Sequence, residues 1–146
     1  MSDALPTLEE LLAGSGLDAR SEAIDANMVR LQWGSAFVIV GTSGSAIVAI
    51  APLFRHLPEG KEEAFFRRLL EHNAYMGGMA AFALQPDGWV VLHAGRPIKG
   101  IDPQEFATLV SGVGRFADQF DDTLIAEFYA GDVDAAGATI SQEQQQ

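Results

Sequence analysis

Residues 36–51 read Ala-Phe-Val-Ile-Val-Gly-Thr-Ser-Gly-Ser-Ala-Ile-Val-Ala-Ile-Ala. Two apolar runs rich in β-branched side chains flank a polar, glycine-bearing centre, and each run is too short for an ordinary helix. The stretch therefore predicts two strands, Ala36 to Gly41 and Ser45 to Ala51, joined by a tight turn. Both faces of these strands are apolar: Phe37 and Ile39 oppose Ala36, Val38 and Val40, while Val48 and Ile50 oppose Ile47 and Ala49. In a two-layer domain the chain's own helices cover one face. The other meets a second subunit or a bound segment, or stays open as the small-residue face of central strands.

Toward the N-terminus the pattern keeps a period of two. Val29, Leu31 and Trp33 alternate with Met28, Arg30 and Gln32, which predicts a half-buried strand beginning at Asn27 and turning at Gly34-Ser35 into the next. Three strands in succession make an antiparallel meander. Ahead of it, Thr7 and Glu10 have capping-box spacing before Leu8, Leu11 and Leu12, so a first helix is expected from about Leu8 to Ala13, stopped by Gly14-Ser15-Gly16.

Toward the C-terminus the period changes to that of a helix. Pro52 and Pro58 bracket a connection, and Glu59 to Tyr75 carries Phe65, Phe66, Leu69 and Leu70 on a broad apolar stripe ended by Gly77-Gly78. Ala80 to Leu84 and Trp89 to Ala94 form a hairpin around Pro86-Asp87-Gly88, with a short edge strand expected near Pro97 to Lys99. Asp102-Pro103-Gln104-Glu105 opens a long third helix whose stripe runs through Phe106, Leu109, Val110, Val113, Phe116, Phe120, Leu124 and Phe128. Gly112 and Gly114 are costly inside such a helix and point to a close approach there. The reading is an α+β, two-layer domain over residues 1–131, followed by a disordered tail over 132–146.

Composition narrows the function. The chain has 146 residues, a net charge of −11 and no cysteine, which excludes disulfides and thiolate metal sites and fits a cytoplasmic protein. Neither a signal peptide nor a membrane span is expected, and the negative charge disfavours nucleic acid and anionic membranes as partners. His56, His72 and His93 have no ligand spacing, so no metal is expected. Gly41-Thr42-Ser43-Gly44-Ser45 lacks the lysine of a phosphate loop, and Ser43, Ser45 and Ser111 lie in no nucleophile elbow. No catalytic role and no cofactor are expected.

The element order, with Leu69-Leu70-Glu71-His72-Asn73, Gly77-Gly78, Asp87-Gly88, Val90-Val91-Leu92, Pro97-Ile98, Ile101-Asp102 and the Phe106 to Phe120 helix, resembles the CesT/Tir-type (class I) type III secretion chaperones. The resemblance covers about Leu5 to Phe128. It implies a homodimer that holds an extended segment of a partner protein on apolar patches. It would place the dimer surface on Phe65, Phe66, Leu69, Tyr75, Met79, Ala81 and Ala83. The partner-binding patches would lie on the first helix through Leu8, Leu11 and Leu12, and on the open sheet face through Val38, Val40 and Val48. The rhythm is also similar to YbjN-type domains, which would imply a regulatory domain that binds a folded partner or a small ligand.

Overall fold

The computed structural model describes residues 5–132. The tail expected over 132–146 lies outside the described residues, apart from Asp132.

Helix α1 (Leu8–Ser15) begins at Thr7 and ends at Gly16, whose φ of 77° is the left-handed conformation that a glycine cap supplies. The capping pair forms in a variant geometry: the Glu10 N–H donates to Thr7 Oγ1 at 3.1 Å, while the Thr7 hydroxyl donates to Glu10 Oε1 at 3.1 Å. One 3-10 turn, Asp18–Arg20, leads to strand β1 (Ser21–Asp25), followed by β2 (Met28–Trp33), β3 (Ala36–Ser43) and β4 (Ala46–Phe54). The meander thus has four strands where the residue pattern suggested three. Ser21-Glu22-Ala23-Ile24-Asp25 has no apolar alternation; it becomes a strand by pairing with β2 at the sheet edge.

Helix α2 (Glu62–Met76) starts later than Glu59 because Gly60 has φ 80°, outside the helical region, and Lys61 N–H closes a turn on the Pro58 carbonyl at 3.0 Å. Strands β5 (Ala81–Leu84) and β6 (Val90–Pro97) form the expected hairpin. No separate edge strand follows: Pro97 ends β6 opposite Ala46, beyond the stretch that β5 pairs, so its missing N–H costs no bond on that side. Helix α3 (Pro103–Phe128) opens as its residues dictate, with the Asp102 carboxylate accepting from Glu105 N–H at 2.7 Å.

The sheet is antiparallel throughout, in the order β1-β2-β3-β4-β6-β5. All three helices contribute buried side chains to one core, which they share with Val29, Leu31, Val38, Val40, Ile47, Ala49, Ala51 and Leu92 of the sheet. Gly114 allows the close approach its position suggested: a Cβ there would sit 2.5 Å from the Trp33 ring. Gly112 meets nothing within 4 Å and does not serve that purpose. This α+β architecture agrees with the reading from residues.

Candidate protein-binding surfaces

The stripe on α2 divides in two. Phe65, Leu69 and Met76 turn inward, and Phe65 is enclosed by the rings of Phe54, Phe128 and Tyr129 at centroid distances of 6.1, 5.1 and 5.7 Å. Phe66 and Leu70, four apart, form a parallel stripe on the outside. With Leu84 they make an exposed apolar face along α2 and β5, where Leu70 is 68% accessible; Tyr75, 69% accessible, lies on the opposite flank of α2 against Phe116 and Phe120 of α3. A cavity of about 240 Å³ opens into this face between Phe66, Leu70, Phe82 and Leu84. Of the residues that the resemblance assigned to self-association, Phe66 lies on this surface, Tyr75 and Met79 are exposed elsewhere, and Phe65 and Leu69 lie in the core. Ala81 and Ala83 pair with His93 and Val91 and point to the sheet face away from the helices. Leu70 and Leu84 were missed as surface residues. The i, i+4 relation of Leu70 to Phe66 was the available signal.

The sheet face away from the helices is continuous across strands. The register aligns Arg30, Ile39, Ile50 and His93 in one row, and Gln32 with Phe37 and Pro52 with Val91 in the next. The Arg30 guanidinium lies 4.2 Å over the Phe37 ring. Val48 is on this face, but Val38 and Val40 are not: both are 0% accessible beneath the helices. Strands apolar on both sides offer no sign of which side the helices take, so the assignment of Val38 and Val40 to the open face is corrected here. The apolar residues of this face are the half-buried Ile39, Val48 and Ile50 and the buried Phe37.

Between α1 and β1 lies a third concavity, of about 440 Å³. Leu8 and Leu12 wall it from the helix, Ala23 and Val29 from the strands, and Glu9, Asp18 and Asp25 stand around it. Leu8 and Leu12 retain only slivers of accessible surface, and Leu11 is turned fully into the core.

The β2–β3 turn is tied to α3 by acids. Asp118 Oδ1 accepts from the Ser35 N–H (3.0 Å) and lies 2.9 Å from Ser35 Oγ, which also lies 2.6 Å from Asp121 Oδ2. A hydroxyl has one hydrogen. Both contacts are satisfied together when Asp121 is protonated, donates to Ser35 Oγ and Ser35 donates to Asp118. The hydrogen bonds from the Ser35 backbone and hydroxyl lower the Asp118 pKa, whereas burial raises that of Asp121 above 3.8. A raised native pKa gives stability that is complete below the unfolded value and is lost as pH rises through the native one. Asp121→Asn, neutral throughout and able to donate to Ser35, should therefore flatten this part of the pH dependence, as urea midpoints taken upward from pH about 4 would show.

His72 works in the opposite sense. Its ring stacks on Phe120 at 4.2 Å and its Nε2 is buried without a partner, so burial, reinforced by Arg68, lowers its pKa below 6.5. Among the described residues no three His, Cys, Asp or Glu side chains converge as metal ligands, and no helix is long and apolar enough to cross a membrane.

The sequence pattern of the Tir chaperone protein (CesT) family matches residues 7–118. No curated protein sequence matches the chain. Solved structures share the fold. A chain of the heterodimeric ExoU–SpcU complex from the type III secretion system of Pseudomonas aeruginosa aligns with a TM-score of 0.60 at 18% identity, covering 80% of this chain and 96% of that one. A chain of the ExsC–ExsE complex aligns at 0.59 and 17% identity, covering 83% and 97%. The Yersinia pestis type III secretion chaperone SycH, solved with a stable fragment of YscM2, aligns at 0.52 and 17% identity, covering 77% and 94%.

Proposed function

Since this chain belongs to the Tir chaperone protein (CesT) family, we propose that it is a non-catalytic chaperone that holds a segment of a partner protein on apolar patches of a homodimer. The observation that carries this reading is the exposed apolar face of Phe66, Leu70 and Leu84 on a chain whose net charge is strongly negative. Large apolar side chains grouped on one face are an association surface, because each gains about 1.5–3 kcal/mol when fully covered.

In this reading α2 and β5 form the dimer surface. The uncovered sheet face and the groove beside α1 remain for the partner, which binds as an extended segment. The SycH structure, with a fragment of YscM2 bound, is an example of a chaperone of this fold engaging part of another protein.

Sedimentation velocity at micromolar concentration should show a dimer. Leu70→Asp with Leu84→Asp should convert it to a monomer, since two desolvated carboxylates would be buried across the interface. Both positions are exposed in the isolated chain, so the variant's thermal unfolding should change little apart from the loss of dimer linkage. A monomeric parent chain would overturn the dimer.

A further inference from the structure

We propose that His72 is an acid-sensitive fastener: protonating its ring loosens the C-terminal half of α2, together with strand β5, from α3. Five rings form a layer across these elements. His72 stacks on Phe120 at 4.2 Å and lies 6.2 Å from Phe82. Phe120 in turn stacks on Phe116 and meets Tyr75 edge-on, each at 6.1 Å. His72 and Tyr75 belong to α2, Phe82 to β5, and Phe116 and Phe120 to α3, so the layer joins all three. From the residue next to His72, Asn73 Oδ1 accepts the Phe82 N–H at 2.7 Å and ties β5 to the same turn of α2.

The neutral ring suits this place and the charged one does not. His72 Nε2 is buried with no partner among the described residues. In the neutral ring this nitrogen can keep a bare lone pair; in the imidazolium it carries an N–H and a share of the charge, with no acceptor to meet it. The neighbours offer no compensation. Arg68, one turn earlier on α2, repels a second cation. Glu127 of α3 gives both carboxylate oxygens to Arg68 at 2.9 Å, and Glu71 of α2 gives Oε1 to the same guanidinium at 3.1 Å. The Tyr75 ring lies against Phe116 and Phe120, and β5 holds no charged residue. A protonated ring regains hydration only by turning outward, which withdraws it from Phe120 and Phe82. Because burial holds the folded group below 6.5, its contribution to stability is complete above the unfolded value and is lost as pH falls toward the native one. Phe66, Leu70 and Leu84 are carried by the two elements that loosen. An association made through them therefore weakens in acid, a consequence that rests on the dimer reading above.

Amide exchange of the full chain, resolved by residue and corrected for the intrinsic rate at each pH, tests this at the Phe82 N–H. Protection there should fall about tenfold between pH about 7.5 and about 5, while Val40 and Ala49 at the centre of the sheet keep theirs. His72→Phe retains a ring to stack on Phe120 and cannot titrate, so its Phe82 protection should stay within about twofold over the same range. His72→Gln, neutral and smaller, guards against a misfit of the larger ring; its protection should be lower throughout and equally independent of pH. Unchanged protection at Phe82 in the parent chain would overturn the proposal. So would the same fall in both variants, because another group would then be titrating, and so would an equal fall at Val40 and Ala49, because the opening would then be global. Sedimentation velocity at the two pH values reads the consequence for association. A dimer equally tight at both, with Phe82 opened in acid, would overturn that consequence and leave the fastener standing.

Discussion

Phe65→Ala should lower the unfolding free energy by about 3–5 kcal/mol, the range for removing a fully buried phenylalanine. The ring is 0% accessible and closes a cluster that joins three parts of the chain: Phe54 ends β4, Phe65 lies in α2, and Phe128 ends α3 with Tyr129 directly after it. Its edge-on contacts to Phe54 and Phe128 and the stacking of Phe54 on Tyr129 at 4.5 Å leave no side chain free to fill the hole. Urea denaturation at several protein concentrations is the check. The loss should appear as a lower midpoint with an unchanged slope, and should be the same at every concentration. A concentration-dependent loss would instead place Phe65 at a subunit boundary. Leu70→Ala, one helical turn on along the exposed stripe, should cost the isolated chain no more than about 0.5 kcal/mol.

Gly114→Ala should destabilise by about 1–3 kcal/mol, against the usual gain from replacing a helical glycine. The new methyl would sit 2.5 Å from Cγ and Cδ2 of Trp33, the inner atoms of an indole that cannot swing away as a flexible chain end could. The Arg20 guanidinium lies 4.4 Å over the Trp33 ring, so displacing the indole also disturbs the approach to β1. Gly112→Ala is the matched control: nothing lies within 4 Å of its Cβ, and it should stabilise by up to about 1 kcal/mol. Opposite signs at two glycines two positions apart, read from thermal midpoints and from Trp33 fluorescence, would establish that packing and not helix propensity decides position 114. Like signs would remove Trp33 as the reason.

The elements written most clearly in the residues were those whose signals are local. The Asp102-Pro103 start of α3, the Asp87-Gly88 turn and the alternation of β2 each rest on backbone angles or caps set within a few positions, and each forms where expected. Strand β1 left no such trace. With Ile24 its only large apolar residue and that side chain half exposed, it is a strand because β2 offers a free edge, and an edge is a property of the sheet.

The binding surfaces divide along the same line. That α2 carried more apolar residues than one core-facing stripe needs was evident from Phe65, Phe66, Leu69 and Leu70 in adjacent pairs. Which member of each pair faced solvent depended on where Phe54, Phe128 and Tyr129 closed around Phe65. Val38 and Val40 show the limit again: in a strand apolar on both sides, period two separates the faces without telling which one the helices cover. By itself the sequence determined the α+β class, the caps, the turns and the acidic balance, because these depend on neighbours along the chain. Only the tertiary structure decided which apolar side chains remain outside, and that α1 stands off β1 to leave a groove rimmed by Glu9, Asp18 and Asp25. Exposure depends on what packs opposite a residue, and those partners lie far away along the chain, as Phe54 and Tyr129 do at 75 positions.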